Sequence, residues 1–337
     1  MPALETPLPQ LVVDYVASAS PAALLQSDDV LAVLGFGNDA PQLDDPRYLR
    51  VPLQPHGEAF FEVWRCNAPV SYGRDGEIAW ATDGRLMFGV IEIDESASAA
   101  DDVSGIRDAA EHAYARLTRF VHNSATPHLL RIWNYLDAIT QGEGDTERYR
   151  QFCIGRARGL GNLDASALPA ATAIGRCDDA RVLQIYWLAA SAPGTPVENP
   201  RQISAYRYPR AYGPQPPSFA RAMLPPTQHS MPLLLSGTAS VVGHASQHAH
   251  ALMAQLDETF ANFDSLLGAA RQRQPALPAT FGPGTRLKAY VRDRDDLPLV
   301  AESLRQRFGD QVPLLVVHAA ICRRELCVEI DGVHGIV

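Results

Sequence analysis

Several features are missing from this 337-residue chain, and each absence closes a route. No apolar run approaches the ~20 residues that span a bilayer, so a membrane helix is not expected. The opening stretch "MPALETPLPQLVVDYV" has no basic segment followed by an apolar one, as a secretory leader would, and a cytoplasmic protein is expected. The five cysteines (Cys66, Cys153, Cys177, Cys322, Cys327) are scattered and form no CxxC pair. They read as reduced thiols, not as a disulfide framework or zinc site. There is no GxSxG and no P-loop, and "GFGNDAPQ" lacks the three spaced glycines of a dinucleotide fingerprint. A net charge of −9 and a pI near 5.6 argue against nucleic acid as a partner.

One absence is local. From Asn199 to Leu256 there is no Asp or Glu, where the chain average predicts about six. The window carries Arg201, Arg207, Arg210 and Arg221. A buried strand explains the lack of acids in "MPLLLSGTASVV". It does not explain "NPRQISAYRYPRAYGPQPPSFARA", which is polar and proline-rich. A basic island in an acidic protein suits a small anionic ligand.

Two segments follow one plan. "EIAWATDGRLMFGVIEID" reads as strands, "DVSGIRDAAEHAYARLTRFVHNS" as a helix, "HLLRIWNYLDAI" as a strand, "GDTERYRQFCIGRARGL" as a helix and "ALPAATAIGRCDDARVLQIYWLAA" as a strand pair. "MPLLLSGTASVV" and "TRLKAYVRD" repeat the strands. Two helices follow them in turn, the first with Leu252, Leu256, Phe260, Phe263 and Leu267 at helical spacing. "VPLLVVHAAICRRELCVEIDGV" then reads as a hairpin. The order predicts an α/β (α+β) protein of two domains, each a mixed sheet with helices on one face. The expected division is 1–195, with an N-terminal extension of about 75 residues, and 196–337, across the Pro/Gly-rich "SAPGTPVENPRQ".

In "CRRELCVEIDG", Leu326, Val328 and Ile330 fall on one strand face, and Cys327, Glu329 and Asp331 on the other. Glu329 either points to water or is an acid with a role. If the copies align, Gln184 of "RVLQIYW" stands where Glu329 stands, so only one copy carries the carboxyl. Arg148 and Arg156 lie eight apart on one helix and read as roughly one face. His244 and His248 are four apart, but the nearby carboxylates are only Asp257 and Glu258, and no metal site is expected.

The strand–helix order resembles the RidA/YjgF trimer family, whose fold is similar to trimeric chorismate mutase. Four blocks resemble the chorismatases: "NYLDAI…ERYRQFCIGRARGL", "VENPRQISAYRYPRAYGPQPPSFARA", "LLLSGTASVVGH" and "CRRELCVEID". Together they cover most of the chain from about Arg131. The resemblance implies two RidA-like domains, a C-terminal active site near the domain contact, and no metal or organic cofactor. It implies a monomer or small homo-oligomer acting on chorismate, releasing pyruvate and forming 3-hydroxybenzoate with some 4-hydroxybenzoate. Hydrolysis to a dihydroxycyclohexadienoate is the alternative within the family. An imine deaminase, or a non-catalytic binder of small carboxylates, is the alternative outside it. RidA deaminases carry a carboxylate-binding Arg at the start of the penultimate strand, and "VPLLVVHAA" has none.

By the same resemblance Glu329 matches the catalytic glutamate, and Cys322, seven residues before it, marks hydroxybenzoate-forming members. Gly237 and Ala239 of "SGTAS" face the substrate. Arg210 and Arg221, with Tyr206 and Tyr212, look like the clamp for the substrate carboxylates, beside Arg148 and Arg156. Protonating the enol methylene of chorismate requires an acid still protonated near neutral pH. A desolvated carboxyl meets that need.

Overall fold

The computed structural model describes residues 10–17, 19–58, 60–95, 102–161, 164–226 and 230–335. A seven-stranded sheet runs Ala320–Ile321, Ala170–Arg176, His128–Asp137, Val182–Ala190, Leu86–Asp94, Ile78–Thr82, Ser71–Asp75. A six-stranded sheet runs Thr195–Val197, Ala222–Leu224, Leu233–Ala239, Val328–His334, Thr285–Val291, Leu314–His318. Their four principal strands share one order and one set of senses: a parallel pair, then two antiparallel pairs. Gln184 is paired with Tyr135, and Glu329 with Tyr290. The two residues therefore occupy the same place in the repeat.

Each sheet carries two helices on one face. Asp102–His122 buries Ile106, Ala110, Ala113, Leu117 and Val121, a stripe at three- and four-residue steps. Arg148–Leu160 lies against it at very short range. A Cβ on Gly155 would fall 2.0 Å from the Arg107 carbonyl oxygen, and one on Gly159 2.5 Å from that of Glu111. The second sheet is covered by Leu252–Arg273, burying Leu256, Phe260, Phe263 and Leu267, and by Leu297–Phe308. No helix among the described residues is long and apolar enough to cross a membrane.

The final stretch departs from the hairpin expected for it. Leu314–His318 runs parallel to Thr285–Val291, and Val328–His334 lies on the other side of that strand. Between them Ala320–Ile321 crosses over and pairs with Ala170–Arg176 of the other sheet. A parallel edge strand cannot turn tightly into its neighbour's neighbour, so the chain spends this segment joining the two sheets.

The N-terminal extension forms a third sheet, ordered Leu11–Ala17, Phe60–Cys66, Val30–Phe36, Tyr48–Val51. Its senses repeat those of the other two, again ending in a parallel pair. Its helices are reduced to the single turn Pro21–Leu24 and a loop. The inner faces of all three sheets meet in one core. Trp133 and Tyr186 stack there at 4.7 Å, and the Tyr135 hydroxyl lies 3.0 Å from that of Tyr186 and 3.1 Å from that of Tyr290. The chain's only lysine, Lys288, is 2% exposed in this core and paired with Glu62 at 2.7 Å. Burial opposes its charge, but Glu62, Tyr135 and Asp331 together outweigh burial and the ammonium is held more firmly than usual. Replacing Lys288 by Met is expected to strand the Glu62 charge and to cost about 3–5 kcal/mol of stability. Chemical denaturation checks this, and a loss under about 1 kcal/mol would contradict the assignment.

Candidate active site

A cavity of about 380 Å³ opens between the two large sheets. One break in strand pairing creates its floor. The ladder between Leu233–Ala239 and Val328–His334 shifts between Leu235 and Thr238, freeing Ser236 and Gly237 from their partner strand. These two residues bond across to the other sheet instead. The Ala171 amide donates to Ser236 Oγ at 3.0 Å, and the Gly237 amide donates to Thr172 Oγ1 at 3.0 Å.

Glu329 lies on this floor, 5% exposed. A Cβ on Gly237 would fall 1.9 Å from Glu329 Oε1, so the carboxyl occupies space that only glycine leaves. Burial, and then the Asp331 carboxylate two residues along, push the Glu329 carboxyl up to about 8. The cations Arg131, Arg221 and Arg323 oppose the rise without cancelling it. Glu329 is therefore protonated at neutral pH.

Five arginines line the rest of the cavity, Arg150, Arg156, Arg221, Arg323 and Arg324, with Glu143, Glu147 and Glu325 among them. Tyr149, Phe152, Cys153 and Arg156 form one face of the helix Arg148–Leu160 and line the cavity. Arg156 donates Nη1 to the Ser218 carbonyl at 2.6 Å and lies over the Tyr114 ring, while its Nε and Nη2 have no hydrogen-bond partner among the described residues. Arg221 donates Nη2 to the Ile203 carbonyl and the Tyr208 hydroxyl, and its Nε also has none. Arg323 packs over the Tyr212 ring at 4.2 Å and donates to the His244 carbonyl. Buried guanidinium N–H groups without partners are costly unless a ligand accepts from them. A small dianion fits this arrangement. Cys322 also lines the cavity; burial and the nearby Glu329 raise its thiol, so it is present as S–H.

The family comparison agrees with this chemistry. The family described as "Chorismatase FkbO/Hyg5-like, N-terminal" matches residues 62–189. A chorismatase of Streptomyces hygroscopicus is 33% identical over 82% of this chain and 79% of its own length. A 3-hydroxybenzoate synthase of the same organism is 30% identical over 90% of this chain and 91% of its own. The crystal structure of a chorismatase superposes with a TM-score of 0.83 at 30% identity, covering 98% of this chain and 99% of that one. The chain belongs to the chorismatase family.

Of the residues singled out from the sequence, the enzyme brings Glu329, Cys322, Arg156, Tyr212, Arg221, Gly237 and Ala239 to one cavity. Three others lie elsewhere. Arg148 is buried in a bidentate pair with Glu95, both contacts 2.7 Å, and its Nε donates to the Asp137 carbonyl. Eight helical steps turn about 80° past two full turns, so Arg148 does not share the face of Arg156. Arg210 is exposed and pairs with Asp145, Nη1 to Oδ1 at 2.8 Å. Tyr206 sits on the turn Ala205–Arg207 outside the cavity wall, where Tyr208 contributes instead. Arg323 was missed, although it adjoins Cys322 in "CRRELC". It lies within the segment read as a hairpin, where nothing in the spacing marks it. His244 faces the Tyr212 hydroxyl and His248 faces Glu258. Among the described residues no cluster of His, Cys, Asp or Glu is arranged for a metal.

Gly237→Ala is expected to displace the Glu329 carboxyl and to lower chorismatase turnover at least about a hundredfold, with the folded structure retained by circular dichroism. Turnover within a few-fold of the parent would contradict the packing of Glu329 on Gly237.

Proposed function

We propose that the enzyme converts chorismate to 3-hydroxybenzoate, with some 4-hydroxybenzoate, and pyruvate. The observation that carries this reading is a buried carboxyl, Glu329, raised to about 8 by its surroundings and set in one cavity with guanidinium groups that have donors to spare. Glu329 donates its proton to the enol methylene carbon. The electron pair of the double bond forms the new C–H bond, and positive charge develops as an oxocarbenium ion at the ether carbon. Arg156 and Arg221 hold the two carboxylates, by bidentate or single charge-assisted bonds. Arg323 supplies a third cation to the cavity wall. Holding the substrate by its ends leaves the ether at the floor.

Product identity turns on the nucleophile that captures this ion. Water gives a hemiketal whose collapse breaks the ether C–O bond and releases pyruvate and the diol. The ring hydroxyl gives a cyclic ketal that breaks a ring C–O bond, loses a ring proton to become aromatic and collapses to pyruvate and hydroxybenzoate. Hydroxybenzoate and pyruvate together contain the atoms of chorismate, with no net water. The dihydrodiol requires one water more. Capture by the substrate's own hydroxyl therefore needs a wall that keeps water away from the oxocarbenium carbon. Cys322, an undissociated thiol, is a weak hydrogen-bond partner and supplies such a wall. A relative of each description, chorismatase and 3-hydroxybenzoate synthase, is similar to this chain. Hydrolysis to the dihydroxycyclohexadienoate is the second reading within the family. We take residues 1–195 and 196–337 as its two working units, with Glu329 in the second and Arg156 in the first.

Incubation with chorismate followed by chromatography is expected to show aromatic hydroxybenzoate and pyruvate. A non-aromatic diol as sole product would overturn the role given to Cys322. Glu329→Gln is expected to abolish turnover in a folded protein, and retained activity would overturn the proton-donor role. The acid must be protonated in the free enzyme, so kcat/KM is expected to hold below neutrality and to fall as pH rises through about 8. A profile flat to pH 9.5 would contradict it.

A further inference from the structure

Asp331 lies on the same face of the strand Val328–His334 as Glu329, two residues on, and outside the cavity wall. Its Oδ2 accepts from four donors: Arg131 Nη2 at 2.9 Å, Trp133 Nε1 at 3.0 Å, Thr172 Oγ1 at 2.8 Å and Tyr290 OH at 2.9 Å. All five side chains are buried. Arg131, Trp133 and Thr172 belong to the seven-stranded sheet, Asp331 and Tyr290 to the six-stranded one. Because the Thr172 hydroxyl gives its proton to Asp331, its oxygen is left to accept. It accepts from Arg131 Nη2 and from the amide of Gly237, the residue on which the Glu329 carboxyl rests.

We infer that Asp331 is a positioning residue for the chorismatase reaction, acting through Thr172 to hold the Gly237 amide, and with it the floor beneath Glu329, in its reactive place. It lies outside the cavity wall and reaches it through Thr172, which lines it. It orients one hydroxyl so that an otherwise unpaired backbone N–H at the strand bulge is tied to the opposite sheet. Asp331 also places a fixed negative charge beside Glu329. The other groups facing Glu329 are Arg131 from the strand His128–Asp137, Arg221 from the proline-rich loop, Cys322 and Arg323 from the segment after Ala320–Ile321, and Tyr149 from the helix Arg148–Leu160. Asp331 is the anionic member of this set.

The inference rests on Glu329 as the acid, and the test separates the two. Thr172→Val keeps every charge and removes the hydroxyl that donates to Asp331 and accepts from Arg131 and the Gly237 amide. With chorismate as substrate its kcat is expected to fall about tenfold or more, with KM within a few-fold of the parent. Thr172→Ser, which keeps the hydroxyl, is expected to restore kcat. Wild-type kcat in Thr172→Val, or equal losses in the Val and Ser variants, would overturn the inference. Asp331→Asn adds a second readout where it folds. The alkaline limb of kcat/KM is expected to move to lower pH by about one unit, because a like charge that keeps Glu329 protonated is gone. An unmoved limb would overturn the part given to Asp331 while leaving Glu329 as the acid. A parent enzyme whose limb persists in Glu329→Gln would instead overturn the acid itself.

Discussion

The ion pair between Arg131 and Asp331 joins the two large sheets beside Glu329. Both side chains are fully out of water, so neither charge is tolerable without the other. Their hydrogen bonds to Trp133, Thr172 and Tyr290 satisfy the carboxylate oxygen nearest the interface. The same pair sets up the chemistry beside it. Asp331, paired with Arg131, lies close to Glu329, and after burial it is the largest influence raising the Glu329 carboxyl. Two carboxyls on one strand face are thus driven into different roles by their surroundings, a recurring way of running acid chemistry near neutral pH.

The rest of the cavity follows from the bulge that this contact supports. Regular pairing of Leu233–Ala239 with Val328–His334 would bury Glu329 against its neighbours. The bulge turns Ser236 and Gly237 toward the other sheet and leaves glycine's missing side chain as the seat for a carboxyl. Close packing of Gly155 and Gly159 on the neighbouring helix brings Arg156 to the opposite wall. The proline-rich loop adds Arg221. The first copy of the repeat lacks this outcome. Gln184 stands in the position of Glu329, and its side-chain amide donates to Glu92 and to the Arg50 carbonyl of the third sheet. A neutral amide there closes the contact that the carboxyl keeps open.

The repeat was legible because strand–helix alternation leaves two periodicities in the chain, and the alternation around Glu329 assigned its face. The acid-free loop pointed to Arg221, and the helix stripe around Phe260 matches the buried face. The third sheet was not legible as a copy, since its helices survive only as Pro21–Leu24 and a loop, leaving no helical spacing to find. The strand at 314–318 was misread because its partner is Thr285–Val291, a helix away in sequence, and parallel pairing leaves no turn signature. Arg148 and Arg210 show the limit of reading arginines singly. Each carries its charge to a carboxylate in the protein, Glu95 or Asp145, that spacing alone does not reveal. Lys288 is a signal that composition did offer: a single lysine among so many arginines proves to be a buried cation of the central core, as Arg131 is.

The central claim is that Glu329 holds a proton at neutral pH. Isotope-edited difference infrared spectroscopy across a pH titration, with Glu329→Gln as the reference, observes that proton directly. The account predicts a protonated carboxyl band at pH 7 that converts to carboxylate near pH 8 and is missing from the variant. A Glu329 carboxylate already formed at pH 6 would contradict it.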